Sequence, residues 1–528
     1  MRNLQLPGRS PVIAENAMAA TAHPLATSSA LAVLKEGGNA VDAALAASAV
    51  LCVVEPAMTG IGGDCFVILS EPDGTIHGLN GSGRAPADAD AAWYRDNGFA
   101  AMPQTGAHSV TVPGAAKAWE ALHERFGTLS LERLFRDAIA YARDGFAVHH
   151  RVALDWSRAA GDLAKDAGGA ANCLVDGRAP AAGTRFRFPA LGDTLARFAA
   201  EGSRAIYDDE IAEEIAATIQ AQGGFLEEAD LARVSADWIE PISTRYGDID
   251  VLEIPPSGQG IIALVMLNLM RQTGFGALDA NGADRLHMQI EIARAAFAVR
   301  DALVADPMQM TATTAQILCD DFTAALARGI DPDKRNADLM LPPLPDSDTT
   351  YLTVVDRDRM AVSFINSLYS GFGSKVVTPK SGIALQNRGG CFTLEEGHPN
   401  ELKPGKRPMH TIIPAMAMKG GRPWMPFGVM GGSYQPLGHA LVISNIVDHG
   451  MDPQQAIDHP RLFWNDDGIV NAEAGIPAAC RTELGRRGHE VRDADMPIGG
   501  GQAIMIDEEN GFLVAGSDPR KDGHAGGW

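Results

Sequence analysis

The sequence predicts an α+β protein with helices layered on sheets. Alanine- and leucine-rich stretches with helical spacing dominate residues 23–304. A hairpin pattern and further strand-like segments follow residue 349. Buried strands are also expected earlier, at 65–69 and 250–254, so both halves supply sheet and helix alike. No internal repeat is visible.

His23-Pro24 opens a first helix, in which Leu31, Val33 and Leu34 lead into Lys35-Glu36 before Gly37-Gly38 end it. Asn39 has the short polar side chain that caps a second helix from Ala40. Alanines on several of its faces predict close helix packing. Gly60-Ile61-Gly62-Gly63-Asp64 then feeds the strand at 65–69. Glycines that follow a helix and precede a strand reverse the order of a dinucleotide fingerprint, which excludes that reading. Residues 113–235 read as mainly helical. After the strand at 250–254, Pro255-Pro256-Ser257-Gly258-Gln259-Gly260 forces a turn into a buried helix over 261–270. A helix over 284–304 places Leu286, Ile290, Ala293, Phe297 and Val304 near one face. Residues 331–348, with four prolines and several charges, read as an extended exposed linker. Beyond it, 351–355 and 361–365 flank Asp356-Arg357-Asp358-Arg359 as a hairpin. Further strands are expected around 411–418, 503–506 and 512–515, and a helix at 438–448.

A chain of 528 residues, 46% hydrophobic and 21% charged, has ample material for a large core. Its length allows about two to four domains, or one large unit with insertions. The net charge of −22 leaves no basic footprint for a phosphate backbone, which excludes nucleic acid as a partner. Cys52, Cys65, Cys173, Cys319, Cys391 and Cys480 form no CxxC pair, so neither a disulfide framework nor a zinc site is expected. His149 and His150 are adjacent and lack ligand spacing on either a strand or a helix, so no metal is expected. The first residues show charge without the apolar stretch of a secretory signal. The run over 40–54 is interrupted by Asp42 and too short to span a bilayer. The expectation is a cytoplasmic protein with no membrane partner.

Asp348-Thr349-Thr350 stands at the head of the hairpin's first strand, directly after the linker. If the backbone breaks before Thr349, that residue gains a free α-amine beside its own hydroxyl, which puts nucleophile and base on one residue. Threonine also favours strands for ordinary reasons. The residues alone leave both readings open.

His23-Pro24-Leu25-Ala26-Thr27, the run from Gly37 to Ala44, Glu55-Pro56, Gly60-Ile61-Gly62-Gly63 and Pro255-Pro256-Ser257-Gly258 precede this point. Val354-Val355-Asp356, Lys406-Arg407-Pro408, Gly431-Gly432-Ser433 and Ser517-Asp518-Pro519-Arg520 follow it. In these motifs and their order the chain resembles the γ-glutamyltransferase family of N-terminal-nucleophile hydrolases over nearly its full length. The resemblance implies a four-layer αββα sandwich and a precursor that cuts itself before Thr349. The products are a large chain, residues 1–348, and a small chain of 528 − 348 = 180 residues, 349–528. The two chains associate, and a homo-oligomer of that heterodimer is left open. Thr349 attacks an amide carbonyl, its amine shuttles the proton, and water resolves the acyl-enzyme, with no cofactor. Gly431 and Gly432 match the family's oxyanion-hole glycines, whose missing side chains let backbone N–H groups come close. Ser367 falls where the family has a hydroxyl near the nucleophile.

The chain departs from the glutamyl-specific pattern at the substrate head. Ser82 takes the place of the arginine that holds the α-carboxylate, with Arg84 two residues on. Cys391 takes the place of the acidic residue, Tyr369 that of an asparagine, and His410-Thr411 that of paired serines. Losing both charged clamps costs a zwitterionic head about 2–5 kcal/mol, so glutamyl compounds are expected to be poor substrates. Arg84 and Arg388 are candidates for a carboxylate fork, while Tyr369 and His410 narrow the site. The expected activity is hydrolysis of a small carboxylated amide, similar to the oxamate amidohydrolases of the family. The alternatives are a glutathione hydrolase or γ-glutamyl transpeptidase with clamps from other residues, an acylase for larger acyl amides, and an uncleaved relative that only binds. Cys391 reads as a packing residue rather than a thiol nucleophile.

Overall fold

Two seven-stranded sheets face each other between helical layers in the computed structural model, which describes residues 8–339, 348–464 and 467–528. One sheet runs in the order Val12–Ala14, Phe512–Ser517, Gly500–Asp507, Arg422–Met430, Ala415–Lys419, Ile249–Glu253, Ile242–Tyr246. The other runs His524–Gly527, Met18–Thr21, Asp348–Val355, Ala361–Tyr369, Asp64–Ser70, Ile76–Gly81, Asp237–Ile239. Every pairing within both is antiparallel. Alternation along the strands divides the core: Met416 and Met418 point between the sheets, while Ala415 and Ala417 face the outer helices. The fold is the αββα sandwich of the N-terminal-nucleophile hydrolases.

The helix Ala40–Val54 is buried at every position and lies beneath the two central strands, Asp348–Val355 and Ala361–Tyr369. Its start is set locally. Asn39 Oδ1 accepts from the Asp42 N–H at 3.0 Å, and the Asp42 carboxylate accepts from the Asn39 N–H at 3.1 Å, a reciprocal cap worth about 1 kcal/mol. Asp356, in the hairpin turn, accepts from the Ala40 N–H at 2.9 Å and ties the helix start to the sheet above it. The preceding helix, Pro24–Lys35, is capped by His23 Nδ1, which accepts from the Leu25 N–H at 3.2 Å.

On the opposite face, Gly260–Thr273 and Gln435–Val447 cover the other sheet. Two expectations are corrected and one strand is added. The strand expected from residue 411 begins at Ala415, because residues 411–413 spend their backbone groups on side chains: the Thr411 carbonyl accepts from Gln259, and the Ile413 N–H donates to Gln435. The strand Arg422–Met430, unforeseen because Pro423 and Pro426 interrupt it, occupies the middle of its sheet beside a register shift at Ala417/Met418. The helix Ala283–Leu303 is not one-faced but buried nearly all round, charged residues included. Of the expected linker, 331–339 forms turns, and 340–347 lies outside the described residues. No helix among the described residues is long and apolar enough to cross a membrane.

Candidate active site

The expected nucleophile sits at an irregular point of the central sheet. Asp348 pairs with Tyr369 and Thr350 with Asn366, so the partner strand holds one extra residue opposite Thr349. Bulges of this kind re-aim side chains at functional sites. Thr349 is buried, and its Oγ1 lies 3.0 Å from Ser367 Oγ, with either hydroxyl able to donate. Ser367 Oγ also accepts from the Tyr369 N–H at 2.8 Å. Tyr369 itself has φ of 81°. This left-handed backbone is strained for an aromatic residue and persists only where the surroundings enforce it. The Gly62-Gly63 run explains how the neighbouring strand comes so near: a Cβ on Gly63 would sit 2.3 Å from the Ser367 carbonyl oxygen.

The Tyr369 ring carries the Arg388 guanidinium 4.3 Å from its centroid, and Arg388 is fully buried. Arg388 Nη1 donates to Thr411 Oγ1 at 2.7 Å and approaches Cys391 Sγ at 3.9 Å. Its Nε stands 3.8 Å from Asp64 Oδ2, beyond hydrogen-bond range. Among the described residues, Nε and Nη2 have no hydrogen-bond partner. A buried cation with two unmatched donors is an unusual expense in a folded chain.

Asp64 is an ion-pair partner of this cation without a hydrogen bond to it, and its own hydrogen bonds go elsewhere. Oδ2 meets His410 Nε2 at 2.8 Å, while Oδ1 accepts from the Gly83 N–H at 2.9 Å and from Gln386 Nε2 at 3.3 Å. Burial, with Arg388 close by, pushes the His410 imidazole down to about 4, so it is neutral. Its Nε2–H then donates to Asp64 while Nδ1 accepts from the Ile412 N–H at 3.4 Å. Burial likewise holds the Tyr369 phenol well above its ordinary value.

Gly431 and Gly432, with φ of 117° and 53°, form the turn between Met430 and the helix Gln435–Val447. A Cβ on Gly431 would lie 2.8 Å from Gly499 Cα, so the position tolerates no side chain. The turn stands at a helix N-terminus, where backbone dipoles favour negative charge. Gln259 fixes it: Nε2 donates to the Gly432 carbonyl at 2.9 Å and to the Thr411 carbonyl at 2.7 Å. Arg300 Nη1 donates to Gln259 Oε1 at 3.3 Å and to Ser433 Oγ at 3.2 Å.

Contacts thus run unbroken from Thr349 through Ser367, Tyr369, Arg388 and Thr411 to Gln259 and Gly432, with His410 and Asp64 behind Arg388. Arg84 is set apart. Its strand ends at Gly81, so the alternation that would align it with Ser82 stops short. Its half-exposed guanidinium donates to the Gly405 carbonyl at 3.2 Å in a separate cavity of about 310 Å³ beside Arg233 and Arg407. Asp64, Gln259 and Arg300 were not foreseen. A lone carboxylate heading an apolar strand was the visible signal for Asp64, and nothing local distinguishes the other two.

A family model described as Gamma-glutamyltranspeptidase matches residues 26–528. The Glutathione hydrolase-like YwrD proenzyme of Bacillus subtilis (strain 168) is 36% identical over 531 residues, covering 98% of this chain and 99% of that protein. The Oxamate amidohydrolase proenzyme of Klebsiella pneumoniae subsp. pneumoniae is 34% identical over 529 residues, with 98% and 99% covered. Among solved structures, the cephalosporin acylase from Bacillus halodurans superposes with a TM-score of 0.92 at 39% identity, covering 100% of this chain and 99% of that one.

Proposed function

Because this chain is an amidohydrolase belonging to the gamma-glutamyltranspeptidase family, we propose that it cuts itself before Thr349 and then hydrolyses the amide of a small carboxylic acid such as oxamate. The products of the cut are the large chain 1–348 and the small chain 349–528. The new α-amine of Thr349 takes the proton from Oγ1 as that oxygen attacks the amide carbon. The Gly431–Gly432 turn receives the oxyanion, the protonated amine passes its proton to the leaving nitrogen, and water hydrolyses the threonyl ester by the same route. Ser367, as a donor to Oγ1, stabilises the oxygen while it carries negative charge.

The observation that carries the substrate assignment is Arg388, a fully buried guanidinium with Nε and Nη2 unmatched, linked to the nucleophile through Tyr369 and Ser367. A substrate carboxylate supplies the missing acceptors in fork geometry. With Cys391 where glutamyl-specific relatives place an acid, the carboxylate beside Arg388 is Asp64, whose oxygens are bound to His410, Gly83 and Gln386 rather than open to a substrate ammonium group. Six unpaired cysteines support a reducing, cytoplasmic setting.

The test pairs intact mass and N-terminal sequencing with a substrate panel of oxamate, glutathione, a γ-glutamyl anilide and a cephalosporin. A second chain starting Thr-Thr-Tyr-Leu and preference for oxamate are expected. Normal turnover of the glutamyl compounds would refute the substrate assignment. Turnover of the cephalosporin would favour the second reading, an acylase, which the likeness to the Bacillus halodurans enzyme supports.

A further inference from the structure

The helix Ala283–Leu303 carries an ion pair in its buried middle. Glu291 and Arg294, one turn apart, are both fully buried, with Arg294 Nη1 donating to Glu291 Oε1 at 2.7 Å. Further polar atoms of the pair turn to the chain just upstream of the expected cleavage site. Glu291 Oε2 accepts from the Asn336 N–H at 2.9 Å, and Arg294 Nη2 donates to the Leu339 carbonyl. The same stretch is held at three more backbone points. His287 Nε2 donates to the Asp331 carbonyl at 2.8 Å, and Arg487 Nη1 donates to the Pro332 carbonyl at 3.0 Å. The Arg335 N–H donates to the Arg487 carbonyl at 2.9 Å. On its other side, His287 Nδ1 meets His489 Nε2 at 2.8 Å.

Residues 331–339 form neither helix nor strand, so side chains rather than a ladder fix their path. A buried ion pair is costly unless its remaining donors and acceptors are satisfied, and here part of that satisfaction comes from linker backbone. We infer that Glu291 and Arg294 are a positioning clamp for self-cleavage, fixing the linker upstream so that the bond before Thr349 is presented to the Thr349–Ser367 pair. The inference rests on the reading of Thr349 given above. In the cleavage step, Thr349 Oγ1 gives up its proton and bonds to the Asp348 carbonyl carbon. The bond from that carbon to the Thr349 nitrogen breaks, and the nitrogen takes the proton. Water then splits the ester, leaving a carboxylate on residue 348 and restoring the threonine hydroxyl. Neither clamp residue exchanges bonds or protons in this sequence.

The test follows newly synthesised full-length precursor by intact mass and measures turnover in the fully processed fraction. Glu291→Met combined with Arg294→Met removes both charges and leaves no unpaired buried ion. Asn336→Pro deletes the N–H that Glu291 accepts without touching the helix. Each is expected to slow the appearance of two chains by at least about tenfold, as for one lost charge-assisted hydrogen bond, while processed material keeps its kcat and KM. Wild-type cleavage rates in Asn336→Pro overturn the clamp, and that variant decides alone if the double substitution does not fold. Loss of turnover in processed material in step with slower cleavage also overturns it, because the pair would then be supporting the fold. If the wild-type chain is uncut, or cut at another bond, the reading of Thr349 fails first and the clamp with it.

Discussion

Thr349 Oγ1 and Ser367 Oγ lie 3.0 Å apart across a bulge whose extra residue is on the Ser367 side. The register that pairs Thr350 with Asn366, continued by one residue, sets Thr349 opposite Ser367, and the bulge beyond them lets Asp348 pair with Tyr369. Replacing Ser367 with Ala should slow both self-cleavage and turnover about tenfold to a hundredfold, as for the loss of one hydrogen bond to a developing anion of about 1.5–3 kcal/mol. Thr349→Ala should leave a single chain of 528 residues with no activity. Intact-mass time courses and steady-state kinetics on the same preparations check both. A Ser367→Ala enzyme with unaltered rates would remove Ser367 from the mechanism.

What could be read from the chain was what local chemistry decides. His23 and Asn39 cap helices through groups two or three residues away, and the hairpin after Thr349 follows from alternation and a polar turn. The partners of Asp64 and Gln259 are not legible because they lie far along the chain: His410 is 346 residues from Asp64, and Thr411 is 152 from Gln259. Arg84 and Arg388 looked equivalent in sequence. Only the end of a strand at Gly81, which turns Arg84 away, and the ring of Tyr369, which receives Arg388, separate them.

Arg388 is expected to act on binding rather than on chemistry. Arg388→Met keeps much of the contact with Tyr369 but removes the donors, and KM for oxamate should rise about tenfold to a hundredfold, the worth of a charge-assisted fork. Lysine should not restore it, since an ammonium offers no planar pair of donors. An uncharged amide such as acetamide, turned over poorly by both enzymes, should show no such change. Equal losses on charged and uncharged amides would place Arg388 in the scaffold instead.

Gln259 should behave in the opposite manner. One amide nitrogen serves the Thr411 and Gly432 carbonyls, so Gln259→Leu frees both and releases the turn proposed to receive the oxyanion. Because the turn matters most when charge develops, kcat should fall about tenfold to a hundredfold with little change in KM. A rise in KM alone, with kcat intact, would show that Gln259 serves the Thr411 side only.

Mild acid should destabilise the fold before most carboxylates are protonated. Burial pushes His23 down to about 3 and His410 to about 4, against an ordinary value of 6.5. Between 6.5 and these lower values the unfolded chain binds protons that the folded chain refuses, so stability falls with pH across that window. Each histidine contributes on the order of 3 kcal/mol when the window is crossed. Glu55 opposes them: burial raises its carboxyl to about 8 from 4.5, so the stability it contributes is present in acid and is lost as pH rises between those values. Urea titrations from pH 7 to pH 4.5 should show a falling midpoint in the wild type. The fall should be smaller in His23→Asn, which keeps a cap for the Leu25 N–H but does not titrate. Glu55→Gln should stabilise the protein at pH 8 and change little at pH 4.5. A His23→Asn variant with the wild-type acid slope would mean that His23 titrates alike in both states.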